Sequence, residues 1–290
     1  MQKRFFFSPF FLSLLLVCVL LATSSRVEAI TYGYVDTNNT YSNVGAFIVK
    51  APNGQIFTLC SGTLITPNVF LTASHCTQYF TDVLAPLGYT AYVSFDKLIP
   101  IGSQTTRKTN LLAVSSVVTN PYYNQSQSDS GDVGVLILQS NVRGITPATL
   151  PECGLLDDLA AQGELADAVF TAAGYGLQNR VVGGGQPHFE DANPVPRMYA
   201  FSSFNSLTPG YLRLSQNPAT GNGGTCYGDS GGPNFLTVDG QQILVAVTTT
   251  GDTACRSTNV DYRLDTASAQ AFFTYVNSTY GTSIPTSTCQ

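Results

Sequence analysis

Short apolar runs, rich in β-branched residues and closed by turn formers, recur along nearly the whole chain beyond residue 30. They include Val44–Val49, Gly62–Ile65, Val69–Thr72, Leu111–Val118, Val133–Leu138, Ala168–Ala173 and Ile243–Thr250. Runs this short, bounded by turns such as Pro52-Asn53-Gly54 and Asp239-Gly240, read as strands of an all-β sandwich or barrel. Turn residues are plentiful, with 26 Gly and 15 Pro among 290 residues. Charged residues make up only 11 %, too few for long solvated helices or a coiled coil. Helical periodicity emerges only near the end. There Ala267, Ala271, Phe272, Tyr275 and Val276 share one face of a helix expected over 266–280.

The first 29 residues stand apart from this pattern. Lys3 and Arg4 precede an apolar stretch from Phe5 to Ala22, and Val27-Glu28-Ala29 ends the segment like a small-residue cleavage site. Residues 1–29 therefore read as a secretory signal, with a retained membrane anchor as the alternative, since about 18 apolar residues can just cross a bilayer. No second long apolar run follows, so no membrane contact is expected after cleavage. Of 7 cysteines, Cys18 leaves with the signal, and Cys60, Cys76, Cys153, Cys226, Cys255 and Cys289 stay. An even number in an exported chain reads as a set of disulfides whose connectivity the count leaves open. No C-x-x-C pair supports a zinc site. A net charge of −5 without a basic run excludes a phosphate-binding, nucleic-acid partner. The sequons at Asn38, Asn124 and Asn277 mark surface loops open to glycosylation.

Two polar stretches, Asn120–Gly131 and Gln178–Pro196, read as exposed loops. A third, 146–164, lies midway and could join two half-sized barrels; its Asp157, Asp158 and Glu164 read as a solvated face.

Three motifs carry chemistry. In Gly228-Asp229-Ser230-Gly231-Gly232-Pro233, glycines flank a serine so that backbone N–H groups can approach a carbonyl. A serine hydroxyl becomes a useful nucleophile only with a base beside it and donors for the oxyanion; otherwise the segment is a Gly-rich turn. The same residues satisfy the G-x-S-x-G elbow of α/β-hydrolases, but those place their histidine after the serine, and none follows Ser230. Only 2 histidines exist, which also leaves little for a His-rich metal centre. His75, in Leu71-Thr72-Ala73-Ser74-His75-Cys76, follows an apolar strand, whereas His188 sits in a Gly/Pro-rich loop; His75 is the better base. Asp132 heads the apolar strand Val133–Leu138, where a carboxylate is costly unless paired; Asp129 suits a turn cap better.

His75, Asp132 and Ser230, in that order and with these flanks, resemble the chymotrypsin/trypsin-like serine proteases. The resemblance covers nearly all of residues 30–280. It is supported by Cys60-Ser61-Gly62-Thr63-Leu64-Ile65, Asn120-Pro121-Tyr122, Gly174-Tyr175-Gly176 and the closing helix. It implies two six-stranded antiparallel β-barrels with a C-terminal helix, in a protease domain over 30–290 divided near 146–164. It further implies a secreted, extracellular, monomeric endopeptidase acting on proteins or peptides and open to protein inhibitors, with no cofactor and no metal. By that family's template, His75 is the base, Asp132 orients it, Ser230 is the nucleophile, and the N–H groups of Gly228 and Ser230 form the oxyanion hole. The resemblance pairs Cys60 with Cys76 and Cys226 with Cys255, leaving Cys153 for Cys289. Relatives free an N-terminal Ile or Val whose amine pairs with the carboxylate before the nucleophile. Here these are Ile30, directly after Ala29, and Asp229, so signal removal itself would generate the active terminus.

The implied substrate pocket departs from a basic-specific one. Its floor is Gly224 rather than aspartate, and its walls are Thr249, Thr250 and Gly251, with either Val260 or Asp261 opposite. Without a buried carboxylate a Lys or Arg side chain enters uncompensated, so an uncharged apolar residue is expected on the acyl side of the cut bond. Asp261 on the wall would restore a basic preference. A non-catalytic homologue acting as a binding module is the alternative from another class, and an esterase would use the same apparatus.

Overall fold

A computed structural model describes residues 30–102, 108–125, 128–180, 188–190 and 192–289. The segment read as a signal, 1–29, and the Gly183–Gly185 run lie outside them. The first half holds β1 (Tyr34–Val35), β2 (Val44–Lys50), β3 (Ile56–Thr66), β4 (Val69–Thr72), β5 (Thr90–Ser94), β6 (Leu98–Ile99), β7 (Leu112–Val118) and β8 (Gly134–Leu138). The second holds β9 (Val169–Gly174), β10 (Gln178–Arg180), β11 (His188–Glu190), β12 (Val195–Pro196) and β13 (Met198–Leu207). It continues with β14 (Tyr211–Ser215), β15 (Pro233–Val238), β16 (Gln241–Gly251) and β17 (Thr258–Arg263).

Strands β2-β3-β4-β8-β7-β5 close into one six-stranded antiparallel barrel. In the second, β13-β14-β17-β16-β15-β9 run side by side and β9 pairs back to β13, which closes it. β4 and β8 are buried along their whole length, which is why their sequences are continuously apolar instead of alternating. Phe47, Leu64, Phe70 and Leu136 fill the first barrel, and Phe170, Leu212, Leu214 and Val245 the second. A third cluster spans the junction, joining Val44, Leu71 and Val135 to Tyr175, Val247 and Tyr262. Each such side chain, fully buried, contributes about 1.5–3 kcal/mol.

The barrels are not divided as cleanly as a single midpoint suggests. β1 precedes the first barrel in the chain yet pairs with β13 of the second, Tyr34 opposite Tyr199. Arg197, fully buried, pairs with Asp36 at 2.9 Å and donates to the Val44 carbonyl at 3.1 Å, so one guanidinium ties the N-terminal strap to both halves. The connection over 146–164 carries a helix, Leu155–Ala161, and its Asp157 pairs with Arg263 at 2.7 Å.

The closing helix runs Ala267–Tyr280, capped by Thr266 and ended by Gly281 in the left-handed region. Its buried face is Ala269, Phe272, Phe273 and Val276, while Ala267 and Ala271 are exposed. The face is rotated from the expected one because burying Phe273 removes far more apolar area from water than burying an alanine. The two polar stretches also differ from simple exposed loops. Asn120 and Ser130 are buried, and the Asn120 side chain donates to the Gly131 carbonyl at 3.0 Å. Gln178–Pro196 contains the β10–β11 hairpin and ends in β12, which pairs with β6. Disulfides join Cys60 to Cys76, Cys153 to Cys289 and Cys226 to Cys255.

Candidate active site

The site lies where the two barrels meet. β4 ends at Thr72, and the chain turns through extended Ala73 into the short helix Ser74–Tyr79, which presents His75. Ser74 Oγ donates to the Val133 carbonyl at 2.8 Å and accepts the Asn120 N–H at 2.9 Å, so the helix start is fixed on the strand that Asp132 precedes. Asp132 is buried, and both its oxygens are engaged by His75. The backbone N–H of His75 donates to Oδ1 at 2.8 Å, and Nδ1 lies 2.8 Å from Oδ2. A carboxylate only accepts, so Nδ1 carries the proton and Nε2 is left as a base. The imidazole is 31 % exposed, enough to meet a substrate. The side chain of His188, the other histidine, lies outside what is described.

Ser230 reaches this helix through a short chain of bonds. His75 precedes Cys76, which is joined to Cys60; the next residue, Ser61, donates its N–H to the Ser230 carbonyl at 2.9 Å. Gly231 then packs on the turn before His75. It has φ +75°, and a Cβ there would lie 2.1 Å from Thr72 Oγ1 and 2.6 Å from the Ala73 nitrogen, so only glycine fits. Along Gly228–Gly232 the backbone donors fall into two sets. Asp229 N–H goes to the Cys226 carbonyl, Gly231 to Thr248 and Gly232 to Asp229, at 2.7–3.0 Å. Among the described residues, the N–H groups of Gly228 and Ser230 meet no protein acceptor. Two unpaired donors flanking a serine hydroxyl can receive an oxyanion.

His75 and Ser230 open onto adjoining cavities that share Thr249 and Thr250. The first, about 410 Å³, is lined by His75, Asp132, Tyr123, Tyr211, Arg213 and Val260 among others. The second, about 280 Å³, holds Ser230, Thr225, Gly251 and Asp252. Val260, expected as a wall of the substrate pocket, lines the His75 cavity together with Thr249 and Thr250. Asp261, its alternative, faces neither; it is fully buried and accepts from Asn234 Nδ2 at 2.7 Å. Burial pushes its carboxyl well above the usual range, against hydrogen bonds from Thr248, Asn234 and Asn259. Gly224, directly before Thr225 of the Ser230 cavity, forms a two-way ladder with Thr31, at 2.9 and 3.0 Å. Thr225, Asn259, Gln216 and Asp252 were not singled out from sequence. They are polar residues in or beside strands, and Thr225, Asn259 and Gln216 find side-chain partners far along the chain.

Asp229 is fully buried, its oxygens accepting N–H bonds from Gly176 at 2.8 Å and Cys226 at 2.9 Å. Burial pushes its carboxyl up to about 7, and those two donors only partly offset it. Ile30 is also fully buried, packed on Met198 and Ala200, and leads into the Thr31–Gly224 ladder. Cys60, His75 and Cys76 bring ligand-type atoms within 4.8 Å of one another, but the disulfide consumes both sulfurs.

Comparison with known proteins agrees with this architecture. The family model described as Trypsin matches residues 34–276. The chain is 29 % identical over 212 residues to CLIP domain-containing serine protease B15 of Anopheles gambiae, covering 69 % of this chain and 56 % of that protein. It is 29 % identical to the trypsin of Saccharopolyspora erythraea, covering 71 % and 80 % respectively. Against the chymotrypsin of Phaedon cochleariae it is 29 % identical, covering 72 % and 68 %. With a family model matched across most of its length and two closed six-stranded barrels to carry it, the chain belongs to the trypsin family of serine proteases.

Proposed function

We propose that the mature chain, residues 30–290, is a secreted, extracellular serine endopeptidase that works through Ser230, His75 and Asp132. The observation that carries this reading is the double engagement of Asp132 by His75, which leaves Nε2 free to act. Ser230 Oγ attacks the scissile carbonyl while Nε2 takes its proton. The carbonyl oxygen, now negative, accepts from the Gly228 and Ser230 N–H groups. The tetrahedral intermediate collapses, the C–N bond breaks, and His75 gives its proton to the leaving amine. Water, deprotonated by the same nitrogen, then releases the acyl group and restores the serine. No cofactor enters. Substrates are proteins or peptides, with protein inhibitors competing for the same cleft, and the enzyme acts as a monomer away from membranes. With Gly224 standing where a basic-specific pocket would carry an aspartate, the acyl-side residue is uncharged and apolar, which a peptide-library cleavage profile tests.

Removal of residues 1–29 activates the enzyme. A freed Ile30 ammonium pairs with Asp229 and offsets the cost of its buried charge. This has a pH signature. In a chain that keeps Ala29 attached, Asp229 titrates near 7 folded and near 3.8 unfolded. Its contribution is therefore most favourable below about pH 4 and is lost as pH rises toward 7, amounting to about 4 kcal/mol. Urea unfolding at pH 4 and pH 8 measures it against Asp229→Asn, which lacks the slope. In the chain starting at Ile30 the ammonium lowers the Asp229 pKa and the slope disappears. Equal slopes in both chains would contradict the pairing.

The whole reading is tested by turnover. The protein starting at Ile30 is expected to hydrolyse peptide amides, with a burst of the first product on ester substrates as acyl-enzyme accumulates. A folded chain with this N-terminus and no turnover of either would favour the non-catalytic binding module. Turnover of esters alone would favour an esterase.

A further inference from the structure

The wall that leads away from Ser230 past His75 ends in an unpaired charge. β14, β17 and β16 lie side by side, and their register sets Arg213 opposite Val260 and Val260 opposite Thr250. Side chains directly opposite one another in an antiparallel sheet share a face, so these three form one row. The row faces away from the core. Leu212 and Leu214, the neighbours of Arg213 in β14, point into the second barrel, and alternation along the strand turns Arg213 to the other side. There it is exposed and lines the His75 cavity with Val260 and Thr250.

Among the described residues no carboxylate answers this charge. Arg197 is paired with Asp36, and Arg263 with Asp157 and Asp265, whereas the Arg213 guanidinium makes no ion pair or hydrogen bond. Asp132 is the one carboxylate on the cavity wall, and both its oxygens are held by His75. Neither this cavity nor that of Ser230 has a second lysine or arginine among its described lining residues. A guanidinium presents a planar fork of N–H donors that fits a carboxylate. Val260 and the rings of Tyr123 and Tyr211 line the same cavity and can cover the methylenes of an acidic side chain. A cationic side chain entering here meets like charge. The spacing fixes the reach. Thr250 is shared with the Ser230 cavity, and with strands about 4.8 Å apart Arg213 stands about 10 Å along the row from it. An extended peptide advances about 3.3 Å per residue. With its acyl-side residue in the Ser230 cavity, side chains two to four residues before the cut bond come within reach of the guanidinium.

We propose that Arg213 is a specificity-determining residue, pairing with a glutamate or aspartate two to four residues before the cut bond. This rests on the protease reading. The test uses the protein starting at Ile30, its active sites first titrated with an organophosphate. Matched peptides that differ at only one of those positions compare Glu with Gln and Lys. At one of them, kcat/KM for Glu is expected to exceed that for Gln about fivefold, the scale of an exposed ion pair, and that for Lys by more. The gap narrows at about 0.5 M NaCl, because Arg213 is exposed to screening ions. Arg213→Gln is expected to bring the Glu-to-Gln ratio to about one, and Arg213→Glu to place Lys ahead of Glu. Ratios within one protein are independent of its folded fraction. Equal rates for Glu and Gln at all of these positions, or a Glu preference that survives in Arg213→Gln, would overturn the proposal while the titration stands. If the titration finds no reactive serine, the protease reading fails first and takes the proposal with it.

Discussion

Ser230→Ala is expected to lower kcat toward peptide amides about 10⁶-fold, leaving only what binding and the unpaired N–H groups supply, a residue of about 10³–10⁴ over water. The reason is chemical rather than structural. The Ser230 hydroxyl makes no hydrogen bond among the described residues, while the backbone around it is held through the Ser230 carbonyl and the Gly231 and Gly232 N–H groups. Truncation should therefore change unfolding free energy by no more than about 0.5 kcal/mol. His75→Ala should lose a similar factor, and the double variant little more, because a nucleophile without its base and a base without its nucleophile are equally idle. Steady-state kinetics on the two single variants and the double variant check this. Losses that multiply would mean the two residues act independently.

Asp132→Asn is expected to lower kcat about 10⁴-fold at neutral pH with little change in structure. The geometry says why. The His75 backbone N–H, which donates to Oδ1, cannot become an acceptor, so the asparagine oxygen must stay on that side. Its NH₂ then faces Nδ1, where the carboxylate Oδ2 lies 2.8 Å away in the native protein. A donor there forces Nδ1 to accept and moves the proton to Nε2, the atom that has to receive it from Ser230. Imidazole NMR of the variant should report the exchanged tautomer. Retention of the Nδ1–H form together with full activity would show that Asp132 does not orient His75.

Much of this was legible in the chain. β4 and β8 stand out from sequence because both faces are buried, and His75 and Asp132 lie at the ends of these segments, while the glycines around it mark Ser230. β13 and β17 were harder to see. Ser202 in β13 is buried yet polar, with its hydroxyl on the Gly223 carbonyl. Asn259 and Asp261 in β17 are buried against Thr225 and Asn234. Local patterning counts such residues as solvent-facing, because what satisfies them lies elsewhere in the chain. Gln216 escaped for the same reason, since only the folded chain sets it under Gly224. The choice between Val260 and Asp261 on the pocket wall is hidden from sequence because β16 and β17 shift register between Thr248 and Thr250, a bulge that local patterning does not reveal.

Treating the protein that starts at Ile30 with a fluorophosphonate and mapping the adduct by peptide mass spectrometry asks directly whether one hydroxyl has been made reactive by its neighbours. A single adduct on Ser230, absent in His75→Ala and strongly slowed in Asp132→Asn, is the result expected. No adduct on folded protein that starts at Ile30, or labelling that persists at full rate without His75, would contradict it.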